Sequence, residues 1–221
     1  IGVPMQNGGG DNEWGEVLVF EFSDTTNDWI QKGTDIHAGE NDSDRAGGCV
    51  SINGDGTIVG IGIRYADING NQSGQVKVYE YDSGTSDWVQ KGSNINGENT
   101  IEDFGEIIDM NQNGNIIAIA GKGYNNDAGR VKVYEYDSGT SDWVQKGDDI
   151  SGTYRAESPY DRVGINLSLN ADGTIMAIGY DTEILQVYEY SSDSWNQLGS
   201  DFNDYKQDGE MSLNENGDIL A

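Results

Sequence analysis

A run of 17 residues, Val76 to Gly92, recurs letter for letter from Val131 to Gly147. A chain that repeats itself this closely must fold the copies alike, so the repeat unit sets the fold. Looser copies flank the pair. Upstream, Val17-Leu18-Val19-Phe20-Glu21-Phe22 leads to Trp29-Ile30-Gln31-Lys32-Gly33. Downstream, Leu185-Gln186-Val187-Tyr188-Glu189-Tyr190 leads to Trp195-Asn196-Gln197-Leu198-Gly199. The tryptophans Trp29, Trp88, Trp143 and Trp195 are thus spaced 59, 55 and 52 residues apart.

A second half-motif lies between these runs. It reads Ser51-Ile52-Asn53-Gly54-Asp55-Gly56-Thr57-Ile58-Val59-Gly60-Ile61-Gly62. It returns from Asp109 to Ala120, from Ser168 to Gly179 and, cut short, from Ser212 to Ala221. Each repeat reads as four strands. The first is of Val-x-Val-Tyr-Glu-Tyr type, the second starts at the tryptophan, and the third ends at the Asn of the half-motif. An Asp-Gly or Asn-Gly step then turns the chain into a fourth strand of Ile-x-Ala-Ile-Gly type. Those dipeptides supply the positive φ that tight hairpins need. With 32 glycines, 2 prolines and short apolar runs, the chain favours strands and turns over helices.

In Val76-Lys77-Val78-Tyr79-Glu80-Tyr81 both alternating faces carry large apolar residues. A four-stranded sheet of this kind cannot bury both faces alone, whereas sheets stacked around an axis can. The expectation is an all-β fold, a β-propeller of four-stranded antiparallel blades of about 55 residues. The repeats fall at 1–62, 63–121, 122–180 and 181–221, the last incomplete, in one propeller region. The small-residue Ile-x-Ala-Ile-Gly strand is expected next to the axis, and the tryptophan between blades. A β-sandwich or β-solenoid would need a different period. The chain opens at Ile1 and stops inside a fourth strand, which favours a piece of a longer array over a closed four-blade ring.

The formal net charge is −27, from 39 acidic and 12 basic residues. Nucleic acid is an unsuitable partner, because phosphate neutralisation needs Lys and Arg, and so is an anionic membrane surface. No apolar run reaches the ~18 residues that cross a bilayer. Cys49 is the single cysteine, placed where a strand should run, and reads as a buried structural thiol. His37 is the single histidine and lies in an acidic loop, so a Ser-His-Asp or Cys-His site has little to draw on. Gly8-Gly9-Gly10 is followed by Asp11, the wrong charge for a phosphate loop. Paired carboxylates are plentiful. Repeated ones serve a scaffold, so a catalytic acid would have to be one found once, such as Glu157.

The third and fourth strands together resemble the FG-GAP repeat of integrin alpha-subunit propellers. Phe104-Gly105 opens the clearest copy, and Gly47 and Gly164 hold the matching glycine after Ala46 and Val163. Gly209 lies one residue closer to its Asn. Gly2-Val3-Pro4 matches the Gly-Ala-Pro end, which drifts to Gly62-Ile63-Arg64 and Gly179-Tyr180-Asp181 elsewhere. The resemblance, shared with repeat arrays in secreted or surface proteins of marine microbes, implies about seven blades and an extracellular adhesion or ligand-binding role. That family often carries a calcium loop. The Asn53-Gly54-Asp55-Gly56 hairpins are too short to supply six to eight oxygens. The better calcium candidates are Asp67, Asn69 and Asn71, and Asn125 with Asp127.

The functional expectation is a non-catalytic extracellular or cell-surface module for structure or adhesion, not an enzyme. Its partners would be surface protein or glycan, or further copies of itself. The alternative is a lectin-like propeller using Trp14, the tryptophan outside the repeat register. A glycoside hydrolase comes third. Sequons at Asn41 and Asn71 fall in loops and would carry glycan in a secreted eukaryotic protein, while that at Asn166 falls in a strand.

Overall fold

The computed structural model describes residues 1–4, 14–41, 43–152, 162–203 and 210–221. Glu157, Gly209 and the Gly8–Gly10 run lie outside the described residues. The chain is all-β and forms a partial propeller. Three blades are complete. The first runs through Cys49–Ile52, Ile58–Ile63, Gln75–Asp82 and Asp87–Gln90, each strand antiparallel to the next. The second uses Ile107–Met110, Ile116–Gly121, Arg130–Asp137 and Asp142–Gln145. The third uses Val163–Leu169, Ile175–Tyr180, Ile184–Ser191 and Ser194–Gln197. In each, a two-residue strand (Ile95–Asn96, Ile150–Ser151, Phe202–Asn203) folds back beside the third strand. Before them stand Gly2–Val3 with Glu16–Val17 and Phe20–Ser23 with Asp28–Gln31; after them comes the bridge Leu213 to Leu220. No helix among the described residues is long and apolar enough to cross a membrane.

The sheets begin at the Asn-ended strand, and it is this strand, not the Ile-x-Ala-Ile-Gly strand, that lies nearest the axis. Cys49–Ile52, Ile107–Met110 and Val163–Leu169 contact one another from blade to blade. The small-residue strand is second, and Ile58–Ile63 and Ile116–Gly121 are buried throughout. Its small residues answer to the next blade. A Cβ on Gly60 would lie 2.9 Å from Ile117 Cδ1, and one on Gly62 only 2.0 Å from the Gly105 carbonyl oxygen.

The Asn of the half-motif builds its turn with its side chain. Asn53 Oδ1 accepts from the N–H groups of Thr57 and Ile58, and Asn111 Oδ1 accepts from those of Asn115 and Ile116. Asn170 and Asn214 repeat the pattern. Gly56, Gly114, Gly173 and Gly217 then take φ of +69 to +74°, open to glycine without strain. These turns also join the blades. Gly54 N–H donates to the Gln112 carbonyl, Gln112 N–H to Ala171, and Ala171 N–H to Glu215.

A second link runs along the inner strands. Ser51 Oγ accepts from the N–H of Met110 and Ser168 Oγ from that of Leu213. At the equivalent station the middle blade carries Asp109, whose Oδ2 accepts from Leu169 N–H at 2.7 Å. Burial raises the Asp109 carboxyl above its ordinary value, against the opposing pull of the hydrogen bonds from Leu169, Met110 and Ser51. Cys49, half-buried with Sγ 3.4 Å from the donating Ile108 N–H, likewise has its thiol pushed up by burial.

The identical 17-residue run makes the third link. Trp88 Nε1 donates to the carbonyl of Lys32 in the preceding blade at 2.7 Å. Trp143 donates to Lys91 and Trp195 to Lys146 in the same way. Tyr81 meets Trp88 edge to face with centroids 5.4 Å apart, Tyr136 meets Trp143 likewise, and Tyr190 meets Trp195 at a tilt. The lysine of the preceding blade lies over that Tyr ring, Lys91 over Tyr136 at 4.3 Å. The glycine after the lysine is fixed by the indole: Gly92 has φ +74°, and a Cβ there would sit 2.7 Å from Trp143 Cδ1.

Gly92→Ala should therefore lose both the left-handed conformation and the indole seat. Gly199 has φ +81° but nothing within 4 Å of a Cβ, so Gly199→Ala loses only the first. Chemical denaturation should show Gly199→Ala costing about 1 kcal/mol, and Gly92→Ala about 1–3 kcal/mol more. Equal losses would show that the indole wedge is not a constraint.

Asp109→Ser keeps an acceptor at the station and removes the ionisable group. An acid whose folded value is raised opposes folding once charged. Below the unfolded value, about 3.9, both states are protonated and Asp109 has no such effect. As pH rises from there through the folded value, wild-type stability is lost relative to the variant. The melting-temperature difference, variant minus wild type, should grow more positive as pH rises above about 4. A flat difference would contradict the assignment.

Candidate functional site

Where the inner strands begin, the repeat keeps its backbone and changes its charges. The residue two before the entry glycine is Arg45, Asp103 and Arg162 in the three complete blades. The residue that ends the second strand or follows it is Arg64, Lys122 and Asp181. Glu106 follows entry glycine Gly105, where the other blades carry Gly48 and Ile165. The entry glycines themselves are alike, with φ of +85° at Gly47, +91° at Gly105 and +85° at Gly164. A fixed backbone thus presents a varied set of charged side chains around the mouth of the propeller axis. Four of the 12 basic residues of this very acidic chain, Arg45, Arg64, Lys122 and Arg162, stand there.

Glu106 is the centre of the group. Its Oε1 accepts from Arg64 Nη1 at 2.7 Å and lies 2.6 Å from Lys122 Nζ. Its Oε2 is buried and has no hydrogen-bond partner among the described residues. Arg64 also lies over the Tyr65 ring at 4.3 Å and donates to the Tyr65 hydroxyl. Asp103, three residues before Glu106, carries a second buried carboxylate oxygen without a hydrogen-bond partner. Burial raises its carboxyl above the ordinary range, and the charge of Glu106 adds to the rise against Arg64 and Lys122. Further round, Arg162 lies 3.6 Å from Asp127 and 3.5 Å from Asp181. Burial raises the Asp181 carboxyl while Arg162 and Lys122 oppose it.

A cavity of about 390 Å³ opens over this group, with Arg45, Arg64, Tyr65, Glu106 and Cys49 in its wall. Arg45 and Tyr65 are shared with a more polar hollow of about 350 Å³ that Asn41, Asp67 and Asn71 help to line. A larger hollow of about 610 Å³ is walled by Val17, Val19, Phe20, Trp29 and Val50. It holds no ionisable side chain and exposes only blade-packing faces, so the charged mouth is the better site.

Of the other residues singled out from sequence, Asn41, Asp67 and Asn71 share the polar hollow and the rest lie apart from it. Asp67 Oδ1 accepts from Gln72 N–H, and Asn69 Nδ2 donates to the Gly97 carbonyl, so both brace their own loop. Asn125 and Asp127 sit one blade on, in left-handed backbone at φ +50° and +67°. Trp14 is partly exposed and its carbonyl accepts from Ala46 N–H. Asn41 and Asn71 are exposed. The mouth charges escaped sequence reading, which set repeated positions aside as scaffold. Their signal is a change of residue type at a constant station.

No protein-family model and no curated protein matches the sequence. Solved structures do match. One is assigned as a 6-phosphogluconolactonase of Bacteroides uniformis, with TM-score 0.61, 10% identity, 98% of this chain and 58% of that one covered. Another is the periplasmic gluconolactonase of Pseudomonas aeruginosa, with TM-score 0.63, 13% identity, 99% and 60% covered. The chain spans about three fifths of the length of each. At these identities the likeness establishes the propeller fold. It also corrects the FG-GAP resemblance, since the propellers matched are lactonases. The entry glycine that suggested FG-GAP meets a backbone need, positive φ under a close neighbour, and does not mark one family. The expectations of a non-catalytic adhesion module, a lectin-like alternative and no enzyme fall with it.

Proposed function

We propose that the chain forms part of a lactonase-type propeller enzyme, and that the charged mouth around Glu106 is where a small sugar-acid lactone is opened. The observation that carries this reading is the carboxylate of Glu106, held by two cations through one oxygen and unpartnered at the other, in the wall of a ligand-sized cavity. The lactonase propellers of matching shape support it.

The chemistry follows from the residue types. Lactone hydrolysis adds water to a carbonyl carbon and breaks the bond to the ring oxygen. The Glu106 carboxylate would take a proton from the attacking water. Arg64, which lines the cavity, would stabilise the oxyanion as it forms. When the carbon–oxygen bond breaks, the proton passes from Glu106 to the ring oxygen. The product carries a new carboxylate, and Arg45 across the cavity is a suitable counter-charge.

The test is hydrolysis of glucono-δ-lactone and its 6-phosphate by the full chain, measured by proton release above the spontaneous rate. Glu106→Gln should lower kcat/KM by about 100-fold or more, the range a general base supplies, with the melting temperature little changed. Hydrolysis no faster than the spontaneous rate, or a Glu106→Gln protein as active as wild type, would overturn the proposal.

A further inference from the structure

A different cluster lies on the incomplete blade that opens the chain. Glu16, Asp35 and His37 bring one ligand atom each to within 4.8 Å of one another. The Glu16 side chain is only 6% exposed and that of His37 is 63% exposed. Their nearest approach, Nδ1 to Oε2, is 3.8 Å, too long for a hydrogen bond. No hydrogen bond from another described residue reaches the Glu16 carboxylate. Glu16 is thus a largely buried acid whose nearest charged neighbour is the exposed imidazole of His37.

The other blades show what this station normally does. Glu16 precedes Val17, which bridges Ile36, so Glu16 faces His37 as Gln75 faces Asn96, Arg130 faces Ser151 and Ile184 faces Asn203. In the first complete blade the pair is neutral and bonded, Gln75 Nε2 donating to Asn96 Oδ1 at 2.8 Å. In the next, Arg130 is a buried cation matched by Glu102 at 2.6 Å and by Glu98 and Asp149. In the third complete blade the station is held by the apolar, half-buried Ile184. Each of these stations is compensated. Around Glu16 there are two carboxylates and one imidazole, so even a protonated His37 leaves a negative charge in excess.

We propose that Glu16, Asp35 and His37 bind one divalent transition-metal ion of the zinc class, which pins the strand beginning at Glu16 to the segment carrying Asp35 and His37. The donor set is one imidazole nitrogen and two carboxylates, which suits zinc rather than the all-oxygen shell of calcium or magnesium. Bonds of about 2.0–2.2 Å in a tetrahedral shell put ligands roughly 3.3–3.6 Å apart, reached by side-chain movement of His37 and Asp35. Water completes the shell on the open side. Gln31 Nε2 donates to Asp35 Oδ1 at 2.6 Å and orients it.

The repeat supplies a variant that folds. Glu16→Gln with His37→Asn installs the hydrogen-bonded pair already present at Gln75 and Asn96. Wild-type protein freed of metal should bind one Zn²⁺ per chain by titration calorimetry, and its melting temperature should rise with Zn²⁺ but not with equal Mg²⁺. The NMR signals of the single histidine should shift in step. The double variant should keep the fold and lose the Zn²⁺ response, with affinity at least 10-fold weaker. Four results would overturn the proposal: no Zn²⁺ response, an equal response to Mg²⁺, unmoved His37 signals, or a folded double variant that responds as wild type does.

Discussion

The indole N–H that each blade sends into the carbonyl of the blade before it is the contact on which the arrangement rests. Trp88, Trp143 and Trp195 all make it, to Lys32, Lys91 and Lys146. A buried indole N–H left unpaired would cost about 1–3 kcal/mol, so the outer strand of one blade fixes where the preceding chain must turn. The glycine after each lysine adopts positive φ to leave room for the ring. The Tyr beneath the indole and the Lys above the Tyr complete the set. The Tyr, Asp, Trp, Lys and Gly of the 17-residue duplicate all act at the seam between blades. Trp29, whose indole is given no such carbonyl among the described residues, is 64% exposed.

Once the seams are set, the axis follows. Inner strands meet through Ser51, Asp109 and Ser168, and the turns are laced through Gly54, Gln112 and Ala171. These links are made by backbone or by small polar side chains and leave the strand entries free to vary. That freedom is what the mouth uses. Arg45, Asp103 and Arg162 occupy one backbone position in three blades, as Arg64, Lys122 and Asp181 occupy another. The station beginning with Glu16 varies in the same way, from a bonded neutral pair to an ion cluster to an apolar side chain.

The blade was legible in the sequence because its signals are local. Asp-Gly and Asn-Gly turns, the Trp strand and the apolar alternation each depend on a few neighbouring residues. The radial order of the strands was not, because Ile-x-Ala-Ile-Gly is small for contact with the next blade's Ile117 and Gly105, not for closeness to the axis. Family was misread at the entry glycine, a feature of geometry rather than descent. The site was hidden for a related reason. Glu106 touches Arg64 and Lys122 from two different blades, so no linear motif contains the three together. Comparing equivalent positions across repeats, and asking where charge appears without a scaffold reason, would have found it.

The proposed lactone-binding mouth would lie at the start of the inner strands. The most direct measurement is a crystal structure of the chain soaked with gluconate, the acid that such a reaction releases. Gluconate should occupy the cavity beside Glu106, its carboxylate toward Arg45 or Arg64. Gluconate seated elsewhere, or an empty cavity at saturating concentration, would contradict the proposal.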